Sequence, residues 1–194
     1  MISYVIILRG RCSSCREPIS MRYPMVELGV GLAWLAVYMK FGVSLWTPVM
    51  IVVLNLLIFG SMVDIDNLYI PNRVSLGIMI IGMGFSFING IGIERSILGG
   101  GIYGLPFLLI YGYGADIYKK EVMGFGDVKL AVAIGTLLGY RSLFMVHMFV
   151  TISFVIGAVV GVAMLAFKKK NKKEEIPFGP YIALGGVIVL FYFY

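Results

Sequence analysis

Charged side chains are scarce in this sequence. Of its 194 residues, 13% are Asp, Glu, Lys or Arg and 60% are hydrophobic, and the mean hydropathy is +0.95. Soluble domains carry roughly 25% charged residues, so the composition excludes an ordinary soluble domain and predicts a chain folded largely in lipid. The net charge of +6 does not indicate nucleic-acid binding, because the basic residues are confined to short gaps between apolar runs.

Cysteine and histidine are also scarce, with two Cys residues and one His in the whole chain. Cys12 and Cys15 form a Cys-x2-Cys pair in a segment that the charge distribution, described below, places in the cytoplasm. Thiols in the cytoplasm stay reduced, so we expect no disulfide between them. A structural zinc site takes four ligands, so one chain cannot build a four-thiolate site. Three interpretations stay open: a metal-free turn, which we favour, a zinc half-site shared across a dimer, and a half-site completed by other ligands.

Seven apolar runs predict an all-α polytopic membrane protein with six to seven transmembrane helices. Runs of about 17 to 25 apolar residues are long enough to cross a bilayer. The runs cover residues 24–39, 46–63, 70–89, 96–115, 127–140, 142–167 and 178–194. The fifth is short, because about 14 residues reach only ~21 Å. We expect it to be a partial span that begins below the membrane surface.

The distribution of basic residues orients these helices. With the N-terminus in the cytoplasm, 13 of the 16 Lys and Arg residues fall in cytoplasmic segments, and only Lys40, Arg95 and Arg141 fall outside. This bias predicts a cytoplasmic N-terminus. No cleavable signal peptide and no internal repeat is evident, so we expect one unit: a cytoplasmic segment, residues 1–23, followed by a membrane-embedded region, residues 24–194.

Two segments that return to the cytoplasmic face carry aspartates. Asp64 ends an apolar run, and Pro71 is expected to follow a turn and open the next helix, where its fixed φ is favourable. In the second segment, Gly124 and Gly126 are expected to lie in a loop that can adopt positive φ and let another backbone approach closely. Asp127 is then expected to be the N-cap of the following helix.

The chemistry of these residues leaves two interpretations open. In one, Asp127 is only a helix cap, and Asp64 and Asp66 are loop residues at the membrane interface. In the other, Asp64 and Asp127 meet as a catalytic pair that shares a proton. One carboxylate would then activate water as a base, while the other, as an acid, would protonate the leaving amine. Such chemistry needs neither a metal ion nor a nucleophilic side chain.

Four segments in a fixed order resemble the bacterial type IV prepilin peptidases, a branch of the Gly-x-Gly-Asp intramembrane aspartyl proteases. GFGD, residues 124–127, fits the signature of these proteases, and DIDNLYIPN, residues 64–72, resembles the family's Asp-x6-Pro-Asn/Asp segment. LRGRCSSCREPISMRYPMVE, residues 8–27, and IPFGPYIALGG, residues 176–186, sharpen the resemblance to the bacterial branch. Together these segments extend the resemblance over nearly the whole chain.

The resemblance assigns roles to individual residues. It implies that Asp64, seven residues before Pro71, and Asp127 are the catalytic aspartates. Asp66, five residues before Pro71, is given a supporting or solvent-facing role. The other supporting motif positions are Pro71, Gly124 and Gly126.

The resemblance also implies a substrate, a cofactor and a location. The substrate would be a type IV prepilin or pseudopilin precursor, cut after a glycine on the cytoplasmic side of the bacterial inner membrane. Proteolysis would need no cofactor, whereas methylation of the new N-terminus would use S-adenosylmethionine. Relatives generally carry two Cys-x2-Cys pairs, so a span and the first pair are expected to be missing here, which puts methylation and zinc binding in question. A homodimer remains an option.

Three other functions compete with this interpretation. A presenilin-like or signal-peptide-peptidase-like protease is disfavoured by the IPN sequence after the first aspartate and by the Cys-x2-Cys segment. A small ion or solute transporter could use Asp64 and Asp127 as cation or proton sites. A non-catalytic assembly subunit would leave the precursor uncut.

Overall fold

The computed structural model describes residues 10–12, 14–88, 90–119, 123–166 and 176–194. Three sequence predictions concern residues outside this described part: the basic residues Arg9 and Lys120, and the charge cluster KKKNKKEE at 168–175, which is predicted to be a solvated loop. Within the described part the regular structure is helical, apart from one isolated bridge between Arg11 and Pro18.

The described residues form seven α-helices in the positions that the apolar runs predict. They are α1 (Arg22–Phe41), α2 (Trp46–Asn67), α3 (Asn72–Ile88), α4 (Ile93–Tyr118), α5 (Phe125–Leu138), α6 (Leu143–Ala166) and α7 (Gly179–Phe193). By length and composition, α1, α2, α4 and α6 each contain a stretch that can cross a membrane, and α3 and α7 are shorter apolar helices. These helices confirm the predicted all-α polytopic fold. The side of the membrane that holds the N-terminus stays a prediction from charge.

The chain divides into two compact units, Met1–Asn55 and Leu56–Tyr194. In the first unit, beside the Cys-x2-Cys pair, the Arg16 N–H donates to the Cys12 carbonyl at 3.0 Å. Farther along, α1 ends at Phe41 and is capped by Gly42, whose φ of 60° suits glycine and whose N–H donates to the Tyr38 carbonyl at 2.8 Å.

Helix α5 is the buried centre of the second unit. It has 14 residues, as the short fifth run predicts, and ten of them are buried. It packs most extensively against α4, then against α3 and α7. A helix surrounded by other helices meets protein rather than lipid, which explains how so short a segment can be stable.

Glycines allow the helices around α5 to approach closely. A Cβ at Gly82 of α3 would lie 2.8 Å from the Leu137 Cα, and a Cβ at Gly135 of α5 would lie 2.6 Å from the Gly99 carbonyl oxygen of α4. The neighbouring atoms belong to the backbone, so they cannot move unless a helix shifts. Small residues at such crossings let transmembrane helices pack by direct backbone contact.

Gly135→Ala is expected to destabilise the protein by about 1–3 kcal/mol, because overpacking a tight helix crossing strains both helices. Besides the Gly99 oxygen, the new Cβ would lie 2.7 Å from the Tyr103 Cβ. Thermal unfolding in detergent measures the effect. Gly101→Ala on α4 is the control, since nothing lies within 4 Å of a Cβ there and alanine favours a helix. Equal stability of the two variants would contradict this account of the packing.

Candidate active site

Asp64 lies in the last turn of α2, with only 5% of its surface exposed. The helix continues to Asn67, and the Leu68 N–H donates to the Asp64 carbonyl at 2.8 Å. The interpretation of Asp64 and Asp66 as loop residues is therefore wrong, because both lie within α2, which continues until Leu68 adopts a positive φ of 54°. Asp66 is exposed and, two residues further along the helix, points away from the Asp64 side.

Asp127 lies in the first turn of α5 and is 7% exposed. The N-cap is Gly124, with extended φ and ψ of −70° and 140°, so the prediction that Asp127 is the cap is wrong. The helix begins earlier because the Asp127 N–H already donates to the Gly124 carbonyl at 3.1 Å. Neither Gly124 nor Gly126 adopts positive φ, which corrects the predicted loop; Gly126 is helical.

The expected close approach at Gly126 is made by Ile70, whose backbone N would lie 3.6 Å from a Cβ at Gly126 and whose side chain would lie closer still. A Cβ at Gly126 would lie 3.3 Å from the Cβ of Ile70, which is buried. A Cβ at Gly179, the first residue of α7, would lie 2.9 Å from the Cδ1 atom of the same isoleucine. Ile70 therefore packs against both the first turn of α5 and the start of α7.

The Asp64 carboxylate has a defined hydrogen-bond donor. The Gly179 N–H donates to Asp64 Oδ2 at 2.9 Å, in a buried contact between residues 115 positions apart. A backbone N–H at the start of a helix is well suited to hold a carboxylate, because it has no partner within the helix and the helix dipole favours negative charge. This bond holds Asp64 against α7.

The Asp127 carboxyl group differs from that of Asp64 because one of its oxygens has no hydrogen-bond partner among the described atoms. This oxygen, Oδ1, is buried. Asp64 and Asp127 are close enough to interact electrostatically, and Asp64 also interacts with Tyr181 of α7. The structure thus brings together the two aspartates that the sequence singles out, hereafter the aspartate pair. Two carboxylates in such a site cannot both be ionised cheaply.

Pro71 and the residues beside it connect the start of α3 to α5. Pro71 directly precedes α3, as expected, and its carbonyl accepts a hydrogen bond from the Val74 N–H at 2.9 Å. Next to it, Asn72 Oδ1 accepts a hydrogen bond from Lys129 Nζ at 2.9 Å. The same Nζ lies 4.8 Å from the centre of the Phe125 ring. These contacts attach the first turns of α5 to the IPN segment.

Sequence reasoning missed three residues at this site: Ile70, Gly179 and Tyr181. Gly179 and Tyr181 lie in the IPFGPYIALGG segment, whose family resemblance was the one available signal. The resemblance marks the segment, but it does not indicate that the backbone of this segment contacts the Asp64 carboxylate.

Cys12 and Cys15 are both free thiols outside the helices. Hydrogen bonds from the backbone N–H groups of Cys15 and Ser14 lower the pKa of the Cys12 thiol. Across the described residues, no group of three or more His, Cys, Asp or Glu side chains could hold a metal ion. The two thiols supply at most half of a zinc site, and none of the chemistry below depends on zinc.

Comparison with known proteins shows similarity along most of the chain. Residues 50–162 match the type IV leader peptidase family, and residues 1–41 match the bacterial peptidase A24 N-terminal domain. A prepilin leader peptidase/N-methyltransferase of Stutzerimonas stutzeri is 35% identical over 189 residues, which are 95% of this chain and 63% of the relative. Proteins of the same name from Aeromonas hydrophila and Pseudomonas aeruginosa are each 32% identical, over 94% and 98% of this chain.

The chain spans less than two thirds of the length of these relatives, 63%, 62% and 64% in the three cases. No solved structure matches the chain.

Proposed function

This chain belongs to the type IV leader peptidase family, and we propose on that basis that it is a membrane-embedded aspartyl endopeptidase. Its proposed substrates are type IV prepilin precursors, in line with the names of its relatives, and, by the sequence resemblance, pseudopilin precursors. The observation that carries the proposal is the aspartate pair, in which two buried carboxyl groups from α2 and α5 interact electrostatically.

Asp64 and Asp127 each accept a backbone N–H, from Gly179 and Gly124 respectively, and the Asp127 carboxyl group also has a buried oxygen, Oδ1, with no partner among the described atoms. A hydrogen-bond donor favours the ionised form of a carboxylate, and the Gly179 N lies 2.9 Å from Asp64 Oδ2. We assign Asp64 as the base that removes a proton from the attacking water. The partnerless Oδ1 of Asp127 is free to donate a hydrogen bond to the scissile carbonyl when protonated, so we assign Asp127 as the acid.

The reaction then proceeds by successive proton transfers. Water attacks the peptide carbonyl as its proton passes to Asp64, while Asp127 stabilises the charge that develops on the carbonyl oxygen. Asp127 then gives its proton to the nitrogen as the C–N bond breaks, which releases the carboxylic acid and the amine. The proton taken up by Asp64 passes to Asp127, and the pair returns to its starting, singly protonated form. The substrate must be unwound at the cleaved bond, because the backbone of a helix shields its carbonyl groups.

The location and specificity of cleavage are proposals from sequence and family. The positive-inside bias supports a cytoplasmic position of the aspartate pair, and the bacterial relatives support the inner membrane of a bacterium. Cleavage after a glycine, ahead of a hydrophobic helix, follows from the family resemblance. The similarity to proteins named N-methyltransferases raises the proposal that the new N-terminus is methylated, with S-adenosylmethionine as donor. The contacts among the described residues do not identify a binding site for S-adenosylmethionine.

A reconstituted cleavage assay tests the proposal. The purified protein in proteoliposomes is given a prepilin with S-adenosylmethionine, and the products are identified by mass spectrometry. We expect a product that begins directly after the leader glycine, and an increment of one methyl group would establish methylation. A full-length relative, assayed under the same conditions, is the positive control. If the relative cleaves the precursor and this protein leaves it intact after prolonged incubation, the proposal is contradicted. Transport of an ion instead of cleavage would support the alternative function.

A further inference from the structure

We propose that Gly179 is a positioning residue for the aspartate pair. Its backbone N–H fixes the Asp64 carboxylate, and its lack of a side chain leaves the space that this carboxylate occupies. Its importance for cleavage rests on the proposed peptidase function, whereas the contact itself does not.

The hydrogen bond has a normal length and is buried. Gly179 N lies 2.9 Å from Asp64 Oδ2, and both residues are buried. A hydrogen bond between an ionised carboxylate and a backbone N–H is stronger than one between neutral groups, and water does not compete for it in a buried site. The bond therefore limits the rotation of the Asp64 side chain more than a bond at the surface would.

The first turn of α7 offers no substitute donor among its nearest residues. Pro180 has no N–H, and the N–H groups of Tyr181 and Ile182 both donate to the Phe178 carbonyl, at 3.1 and 3.2 Å. The Gly179 N–H is left to face Asp64. Phe178, which precedes it, packs against Phe154 with 5.1 Å between ring centres, and this contact ties the start of α7 to α6.

The absence of a side chain at position 179 is a steric requirement. A Cβ there would lie 2.8 Å from Asp64 Oδ2 and 3.2 Å from Asp64 Cγ, besides its contact with Ile70. Gly179 is not among the glycines with positive φ, so its backbone conformation is open to alanine. What opposes alanine is the Asp64 carboxylate, together with the Ile70 side chain, whose Cδ1 atom would lie 2.9 Å from the new Cβ.

The test compares Gly179→Ala with Gly186→Ala, a matched change in the same helix. At Gly186 a Cβ would lie 2.7 Å from the Ile134 Cγ2 atom of α5, so this control strains α7 packing without touching Asp64. In prepilin cleavage, we expect Gly179→Ala to lower kcat by about 100-fold, as a displaced catalytic group does, with little change in KM. Its pH profile of kcat shifts relative to wild type, whereas Gly186→Ala keeps the wild-type profile.

A spectroscopic measurement separates this inference from the proposed function. In protein carrying 13C-labelled aspartate carboxyl groups, the infrared band of Asp64 is identified by its absence from Asp64→Asn. We expect this band to shift in Gly179→Ala and to stay in place in Gly186→Ala, whatever the substrate. An unshifted band in Gly179→Ala, or equal shifts in both variants, would overturn the inference. A shifted band in a protein that cleaves no prepilin would support the contact and count against the peptidase function alone.

Discussion

Asp64→Asn is expected to lower the rate of prepilin cleavage by roughly 10²- to 10⁴-fold, the contribution typical of a general base. The substitution has nearly the same shape as the native side chain, and the amide oxygen of Asn can still accept the Gly179 N–H. The fold should therefore persist while the negative charge that removes the proton from water is lost. The expected loss lies in kcat and leaves substrate binding largely intact.

Single-turnover cleavage in proteoliposomes measures this loss, with thermal unfolding as the check on folding. Asp66→Asn is the matched control, since it changes an exposed acid only two residues further along the same helix. We expect it to cleave at close to the wild-type rate. If Asp66→Asn were inactive and Asp64→Asn active, the assignment of the first catalytic aspartate would be wrong.

Asp127→Asn is expected to cause a comparable loss for a different reason. An amide side chain can donate a hydrogen bond to the scissile carbonyl, but it cannot deliver a proton to the leaving amine. Because Asp127 Oδ1 has no partner among the described atoms, replacing the acid by Asn breaks no hydrogen bond at that oxygen. We expect the melting temperature to stay near that of wild type while cleavage is lost.

The same single-turnover assay checks the second aspartate, with Asp116→Asn as the control because Asp116 is an exposed acid near the end of α4. We expect Asp127→Asn to cleave slowly while its unfolding temperature stays near that of wild type. We expect Asp116→Asn to cleave at the wild-type rate. Wild-type cleavage by Asp127→Asn would show that this acid does not take part in the reaction.

The helices of this protein could be predicted because their physical cause is local. A run of apolar residues must satisfy its backbone hydrogen bonds internally in lipid, and a helix does so within one segment. The fifth run illustrates the limit of this reasoning. Its length predicts a short helix, but only the contacts with α3, α4 and α7 show that α5 is the buried centre of its unit.

The sequence singles out two aspartates that the structure brings near each other, but it does not predict their surroundings. The motifs identify Asp64 and Asp127, but the sequence cannot fix where a helix starts to within one turn, and α5 begins two residues before Asp127. The donor to Asp64 could not be found from the sequence, because Gly179 lies 115 residues away and the bond depends on how α2 and α7 come together. Local sequence carries no record of such a contact.

The central claim, that Asp64 and Asp127 act as one catalytic pair, is tested most directly by the double variant Asp64→Asn/Asp127→Asn. Single-turnover cleavage is measured for wild type, the two single variants and the double variant, with enzyme in excess so that slow residual rates are captured. Residues that act as a unit show non-additive losses, so we predict that the double variant is about as slow as the slower single variant. A loss in the double variant equal to the product of the two single losses would show independent action and contradict the claim.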